Sequence, residues 1–185
     1  SLRDLFHLPE GVIYMDGNSL GALPKATAAR VAKAVTQEWG QDLIQSWNIA
    51  GWFQMPHVVG NKIAKLIGGR EGEVVVADST SINLYKVLSA ALVIAKIDHP
   101  EKTIVLSERT NFPTDLYIAQ ALCNELGFEL KLVEAELLQS ALQSDVAVLL
   151  LTHVNYRTGA MLNMPVLCEA ARTAGAMTVW DLAHR

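Results

Sequence analysis

The sequence has 185 residues, of which 51% are hydrophobic and 18% are charged, so it is not the sequence of a disordered protein. Its length suits one domain or two small ones. The net charge of −4 argues against a protein that binds nucleic acid, because phosphate backbones require a basic surface. Charges or breaks interrupt the long apolar runs, so we expect no membrane partner.

The N-terminal segment and the two cysteines argue for a cytoplasmic protein without a metal. The first 15 residues lack the apolar stretch behind a basic start that marks a secretory signal. Cys123 and Cys168 match no zinc-binding spacing and are expected to be reduced thiols. We therefore expect a cytoplasmic location and no metal site.

Residues 1–70 predict a helical N-terminal segment. Residues 13–15 suggest a short strand, and apolar spacing predicts helices at about 25–39, 41–49 and 57–67. The segment also carries an aromatic cluster, which includes Trp47. A loop with the sequence DGNSLG follows the short predicted strand.

From residue 71 onward, predicted strands and helices alternate, which indicates an α/β domain with a mostly parallel sheet flanked by helices. The apolar helix at 82–95 has few polar positions, so we expect it to be buried on most sides. The chain stops directly after a predicted strand, and we expect an incomplete domain that is truncated at residue 185. Strands are predicted at 73–77, 103–106, 128–133, 146–151 and 177–180, and helices at 113–126, 134–143 and 164–174.

Polar and aromatic residues follow the predicted strands at the edge where parallel sheets bind ligands. The run 78–81, Asp-Ser-Thr-Ser, begins a helix and could hold a phosphate, although simple helix capping explains the same residues. Phe112 could be a core residue, and Asp115 could merely favour a helix start. Asp181 ends an apolar strand, where a carboxylate is costly unless it is paired. His184 alone would be an ordinary histidine.

Together these residues suit a phosphorylated aromatic cofactor that has a basic ring nitrogen. Hydroxyls would hold the phosphate, an aromatic side chain would face the ring, and a carboxylate would keep the nitrogen protonated. Pyridoxal phosphate fits this description. The sequence contains neither GxGxxG nor GxxxxGK[ST], so dinucleotide-binding and P-loop interpretations lose their main support.

Four motifs resemble the kynureninase family in its bacterial form. They are YMDGNSLG at 14–21, DSTSINL at 78–84, NFPTD at 111–115 and DLAH at 181–184. The resemblance covers essentially the whole chain and implies the large domain of a fold-type-I pyridoxal-phosphate enzyme. Cysteine desulfurase-like relatives usually have a histidine where this sequence has Phe112, which favours kynureninase.

The resemblance implies roles for ten residues. Thr80 and Ser81 match positions that bind the cofactor phosphate, and Asp181 matches the carboxylate on the pyridine nitrogen. Trp47 matches an aromatic residue of the substrate pocket. The remaining expected contacts with the cofactor come from Phe112, Pro113, Thr114, Asp115, Thr152 and His184.

The implied activity is the hydrolytic cleavage of the Cβ–Cγ bond of L-kynurenine or 3-hydroxykynurenine in tryptophan catabolism. With L-kynurenine the products are anthranilate and L-alanine, and the implied assembly is a homodimer. The family's Schiff-base lysine lies beyond residue 185, so no catalytic residue is assigned and we expect the chain alone to be inactive. Lys86, Lys96 and Lys102 are expected at the surface of helices or loops.

Two alternatives remain open. The parent protein could be another fold-type-I lyase, such as a cysteine desulfurase-like enzyme. The chain could also be a non-catalytic fragment that forms an interaction unit, which the missing lysine favours.

Overall fold

The computed structural model describes residues 2–184, which fall into two units, one ending at Ala77 and the other beginning at Asp78. The first unit is mainly helical, as the sequence predicts. Its elements are a 3₁₀ turn Leu2–Leu5, strands β1 (Phe6–His7) and β2 (Leu23–Pro24), helix α1 (Thr27–Lys33), a π-helix Ala34–Trp39, a 3₁₀ turn Leu43–Gln45, and helices α2 (Ser46–Ile49) and α3 (Met55–Ile67).

The strand predicted at 13–15 is wrong. Ile13 and Met15 lie in an irregular segment and are exposed, so no buried face holds an extended strand there. The antiparallel pair of this unit forms instead between β1 and β2, where Phe6 pairs with Pro24 and His7 with Leu23.

The strand predicted at 73–77 is also wrong. A β-branched run becomes a strand only when another strand accepts its hydrogen bonds, and 73–77 pairs with none of the described strands. The segment lies against helix α3 instead. The Val76 N–H donates to the Pro56 carbonyl at 3.2 Å, and a Cβ added to Gly60 would lie 2.0 Å from the Val74 carbonyl oxygen.

The second unit confirms the predicted α/β class. Strands β3 to β6 form one parallel sheet in the order β4-β3-β5-β6, and the remaining elements are helical. The elements are α4 (Thr80–Asp98), β3 (Ile104–Glu108), α5 (Pro113–Leu126), β4 (Glu129–Val133), a 3₁₀ turn Ala135–Leu137, α6 (Leu138–Ala141), β5 (Val146–Thr152), α7 (Met164–Ala174) and β6 (Met177–Asp181).

Strand β5 explains why both faces of the sheet are covered. All seven of its residues are buried, as expected for a continuous apolar run in a parallel sheet. Because side chains alternate along a strand, Val148 and Leu150 pack with α4 and α5, whereas Leu149 and Leu151 pack with α6 and α7. Each fully buried leucine contributes about 1.5–3 kcal/mol through the hydrophobic effect.

Helix α4 is buried on one face only, so the expectation that it is covered on most sides is wrong. Leu88 and Leu92 are buried against the sheet, while Val87 and Ile97 are exposed. By length and composition alone, α4 could also cross a membrane. One face of α4 packs on the core of the second unit, and core helices also meet these criteria.

Lys102 is buried rather than exposed, contrary to the expectation from the sequence. Its side chain is 7% exposed, and Nζ donates to the carbonyls of Ala174, at 2.7 Å, and Val146, at 3.3 Å. Ala174 ends α7, where helix carbonyls lack partners within the helix, so the ammonium group caps that end. Lys102 precedes β3 and therefore lies at the amino edge of the sheet.

Candidate cofactor site at the carboxyl edge of the sheet

The carboxyl ends of β3, β5 and β6 bring the predicted site residues of the second unit together. In the register of β5 and β6, Thr152 lies opposite Asp181. The His153 N–H donates to the Asp181 carbonyl at 3.0 Å and continues this pairing beyond the strand. Helix α5 begins at Pro113, whose missing N–H and fixed φ suit a first helical residue.

Asp115 and Asp181 form a pair of buried carboxyl groups. Asp115 is 2% exposed and Asp181 is 9% exposed. Burial, followed by the negative charge of Asp181, raises the pKa of Asp115 to about 6, whereas a hydrogen bond from Thr152 lowers it. Neither carboxyl forms an ion pair with any residue from 2 to 184. The pair is therefore suited to hold either a shared proton or a cation.

A chain of hydrogen bonds fixes the turn before α5. The Ser107 hydroxyl donates to the Leu150 carbonyl at 2.7 Å, and Asn111 Nδ2 donates to Ser107 Oγ at 3.1 Å. Asn111 Oδ1 accepts from the Phe112 N–H at 2.7 Å and from the Thr152 hydroxyl. Thr152 Oγ1 also lies 3.4 Å from Asp115 Oδ2. The turn is thus tied to β3 and β5, and the first turn of α5 cannot shift freely.

Ser107 and Asn111 are not among the site residues predicted from the sequence. Both are buried polar residues, and a serine inside a buried apolar strand is the signal that could have indicated the network. Asn111 was part of the motif NFPTD, but no role followed from it.

Three aromatic rings lie together near the start of α5. The ring centroids of Phe112 and His184 are 5.7 Å apart with an interplanar angle of 37°. Tyr156 lies 5.1 Å from Phe112 and 6.4 Å from His184. Arg157 Nε donates to the Tyr156 hydroxyl at 2.7 Å. Tyr156 was not predicted, because it lies in a loop without periodicity.

The N-terminus of helix α4 lies near the carboxyl end of β6. Thr80 and Asp181 line the same cavity, which has a volume of about 270 Å³. Ser79 caps the helix, and its hydroxyl accepts from the Ile82 N–H at 3.5 Å. The preceding residue, Asp78, has φ +39° and forms an ion pair with Lys86. This turn directs the start of a 19-residue helix, where N–H groups favour anions, towards the cavity.

The structure therefore brings most of the predicted residues of the second unit to one sheet edge. Phe112, Asp115, Thr152 and His184 surround the α5 turn, and Pro113 and Thr114 begin that helix. Their roles towards a cofactor stay predictions. Trp47 belongs to the first unit, is 49% exposed and packs edge-on against Trp52, with ring centroids 6.4 Å apart.

Comparison with known proteins gives the relationships of the chain. Kynureninase from Pseudomonas fluorescens is 53% identical over 99% of this chain and 45% of its own length, so the chain spans less than half of that relative. Cysteine desulfurase from Thermococcus onnurineus NA1 shares the fold with a TM-score of 0.72 and 19% identity, over 98% of this chain and 46% of its own. A C-DES variant with glycine covalently linked to its PLP cofactor has a TM-score of 0.68 and 16% identity, over 95% of this chain and 48% of its own.

The family assignment follows from a direct match to a family model. The aminotransferase class-V model matches residues 52–185, which include every predicted cofactor contact. The chain belongs to the aminotransferase class-V family, whose cofactor is pyridoxal phosphate.

Proposed function

We propose that this chain is the cofactor-binding part of a kynureninase, which hydrolyses the Cβ–Cγ bond of L-kynurenine or 3-hydroxykynurenine. The similarity to curated kynureninases over nearly the whole chain supports this activity. The structural observation that carries the proposal is the buried pair of Asp115 and Asp181 at the carboxyl edge of the sheet. The activity resides in a protein that also supplies the covalent lysine.

The residues of this edge fit pyridoxal phosphate. Two carboxyl groups without a cationic partner among residues 2–184 suit a protonated pyridine nitrogen, which would form a charge-assisted hydrogen bond. Thr80 and Ser81, at the start of α4, offer hydroxyls and backbone N–H groups to the phosphate. Phe112 offers an aromatic face to the ring. The bound cofactor supplies an electron sink next to the scissile part of the substrate.

Four side chains at this edge of the sheet contribute to binding of the cofactor in different ways. Asp181 holds the proton on the pyridine nitrogen, and its Oδ1 accepts from the Ala183 N–H at 2.8 Å, which fixes the carboxylate. Asp115 adds negative potential at the same place. Thr152 and Asn111 orient Asp115 through the network that begins at Ser107.

The alternatives have weaker support. The likeness to cysteine desulfurase, at 19% identity, concerns the fold alone. A purely structural fragment would have no need for two buried carboxyl groups that repel each other.

We further propose that the intact protein is a cytoplasmic homodimer. The dimer is supported by the large exposed apolar side chains of the first unit, such as Trp39, Phe53 and Leu66. Sedimentation of the intact protein tests the dimer.

A chimera tests the activity. This sequence replaces the matching segment of P. fluorescens kynureninase, and the purified protein is supplied with pyridoxal phosphate. We expect release of anthranilate from L-kynurenine and, in the presence of a thiol reductant, none of the sulfide that reduction of a desulfurase's persulfide would release from L-cysteine. The same chimera with Asp181→Asn is the matched control, and its turnover should be lower by about a hundredfold or more. Sulfide release without anthranilate would overturn the proposal in favour of the desulfurase alternative.

A further inference from the structure

The first unit contains a buried carboxylate, that of Glu38, which is bound by side chains from two other parts of the unit. Glu38 is 6% exposed and lies in the π-helix Ala34–Trp39. Its Oε1 is 3.1 Å from Arg30 Nη1, and its Oε2 accepts from Arg30 Nη2 at 3.2 Å. The same Oε2 accepts from the indole Nε1 of Trp52 at 2.8 Å. A buried carboxylate is favourable only with such partners, so Glu38 depends on this arrangement and also maintains it.

Glu38 also holds the backbone that leads to Trp47. The hydroxyl of Ser46, which is fully buried, donates to the Glu38 carbonyl. Ser46 is the first residue of α2 and directly precedes Trp47. On the other side of Trp47, the ring of Trp52 lies against it at an interplanar angle of 74°. The backbone carbonyl of Glu38 therefore holds the chain before Trp47, and its carboxylate holds the ring that packs on Trp47.

The π-helix places Glu38 where these contacts are possible. Its wide turn ends with the Gly40 N–H donating to the Val35 carbonyl at 3.0 Å. A Cβ on Gly40 would lie 2.6 Å from the Thr36 carbonyl oxygen, so the turn requires glycine. The hydrogen bond from Trp52 and the guanidinium of Arg30 hold the pKa of Glu38 below its ordinary value. The carboxylate thus stays ionised at neutral pH.

We propose that Glu38 is a positioning residue for Trp47 and thereby for the aryl ring of the substrate. The inference rests on the proposed function and on the resemblance to kynureninase, which implies that Trp47 belongs to the substrate pocket. The Glu38 carboxylate acts through Trp52 and does not contact the substrate, whereas the hydrogen bond from Ser46 goes to the Glu38 backbone carbonyl. Its loss frees the indole of Trp52 and allows the Trp47 ring to turn, which weakens binding of the aryl group. The bond cleavage at the cofactor is unaffected, so KM should change and kcat should not.

The first test does not depend on activity. Two indoles at the distance of Trp47 and Trp52 give an exciton couplet in the far-ultraviolet circular dichroism of the chain, and Trp52→Phe identifies the couplet by removing it. We expect Glu38→Ala to abolish the couplet and Glu38→Gln, which keeps an acceptor for the indole, to retain most of it. Glu73→Ala is the control, because Glu73 pairs with Arg70 and with no tryptophan.

The second test uses the chimera with P. fluorescens kynureninase. We expect Glu38→Ala and Trp52→Phe each to raise KM for L-kynurenine by about tenfold with kcat changed less than about twofold, and Glu38→Gln to restore KM. An unchanged couplet and an unchanged KM in Glu38→Ala would overturn the proposal, as would equal losses in kcat for all three variants. If Glu38→Ala does not fold, Trp52→Phe decides by the same KM measurement.

The two tests distinguish failure of the proposed function from failure of the positioning role of Glu38. A chimera that carries the native Glu38 and does not cleave L-kynurenine contradicts the proposed function, while the couplet still reports whether Glu38 orients the two indoles. A chimera that cleaves L-kynurenine but shows no response to Glu38→Ala contradicts only the positioning role.

Discussion

Asp115, in the first turn of α5, and Asp181, the last residue of β6, place their carboxyl groups against each other at the carboxyl edge of the sheet. The arrangement is unfavourable for the protein alone, because burial and the charge of Asp181 both oppose ionisation of Asp115 and raise its pKa. It becomes favourable when a cationic nitrogen lies between or beside the two groups. Binding of a cationic cofactor would therefore relieve an unfavourable interaction that is present in the cofactor-free protein.

The pH dependence of stability should reveal this cost in the cofactor-free chain. The pKa of Asp115 rises from 3.8 to about 6 on folding, so the folded state binds more protons than the unfolded state between these values. This contribution is present below about pH 4 and is lost as the pH rises through 6, by up to about 3 kcal/mol. Urea unfolding of the chain and of Asp115→Asn, at several pH values, measures the difference.

The comparison needs a control of opposite sign. Arg172 lowers the pKa of Glu169, so Glu169 contributes stability that is lost as the pH falls. Glu169→Gln should therefore lose stability relative to the unchanged chain mainly at neutral pH, whereas Asp115→Asn should gain it there. A difference between Asp115→Asn and the unchanged chain that is constant from pH 4 to pH 7 would show that folding does not raise the pKa of Asp115.

Asp181→Asn should separate catalysis from folding. In the chimera, a neutral amide no longer holds the proton on the pyridine nitrogen, so turnover should fall about a hundredfold or more, which corresponds to roughly 2.7 kcal/mol. The melting temperature of the cofactor-free form should not fall, because the repulsion with Asp115 disappears. Turnover within a few-fold of that of the unchanged chimera would show that Asp181 does not hold the proton on the pyridine nitrogen. A lowered melting temperature with activity lost in proportion would make Asp181 a structural residue.

Phe112→Leu should weaken retention of the cofactor without unfolding the chimera. An aromatic contact stabilises by about 0.5–1.5 kcal/mol in addition to the effect of burial, so the dissociation constant of pyridoxal phosphate should rise by up to about tenfold. Dialysis followed by absorbance of the bound cofactor measures this. Tyr117→Leu, an exposed aromatic residue on the same helix α5, is the matched control and should not change retention. A lower melting temperature with unchanged retention would make Phe112 a core residue only.

The contact between α3 and the segment 73–76 can be tested with two glycines. Alanine at position 60 would place its Cβ 2.0 Å from the Val74 carbonyl oxygen, so Gly60→Ala must displace the backbone and should destabilise the first unit by about 1–3 kcal/mol. Alanine at position 69 meets Ala64 at an ordinary 3.5 Å, and Gly69→Ala should be nearly neutral. Urea unfolding compares the two. Equal effects would mean that the close approach does not matter.

The sequence was sufficient for elements whose signals are local. Helix α5 runs from Pro113 to Leu126 as predicted, because proline suits its start and Gly127, at φ +79°, suits its end. The β5 strand followed from its unbroken apolar run. The segment 73–77 has equally good strand residues and still pairs with no described strand, since pairing depends on a partner elsewhere in the chain. The exposed face of α4 could not be predicted for the same reason.

The site was predictable by residue but not by arrangement. Asp181 stood out because a carboxylate ends an apolar strand, and Asp115 stood out through the resemblance. That the two carboxyls meet depends on where the first turn of α5 lies relative to the end of β6, which no local pattern encodes. Tyr156 lies in a loop and packs against Phe112, which no periodicity indicates. Glu38 lies in a π-helix, and the sequence has no pattern that predicts this kind of helix.

The order of strands in the second unit has a consequence for handling the chain in solution. β4 and β6 are the outer strands of the described sheet. β4 carries Glu129 and Lys131, charges that discourage another chain from adding to that side, whereas β6 has the sequence MTVWD, with its one charge at its end. The chain should therefore precipitate by strand addition at β6, and a lysine in place of the exposed Thr178 should improve its solubility.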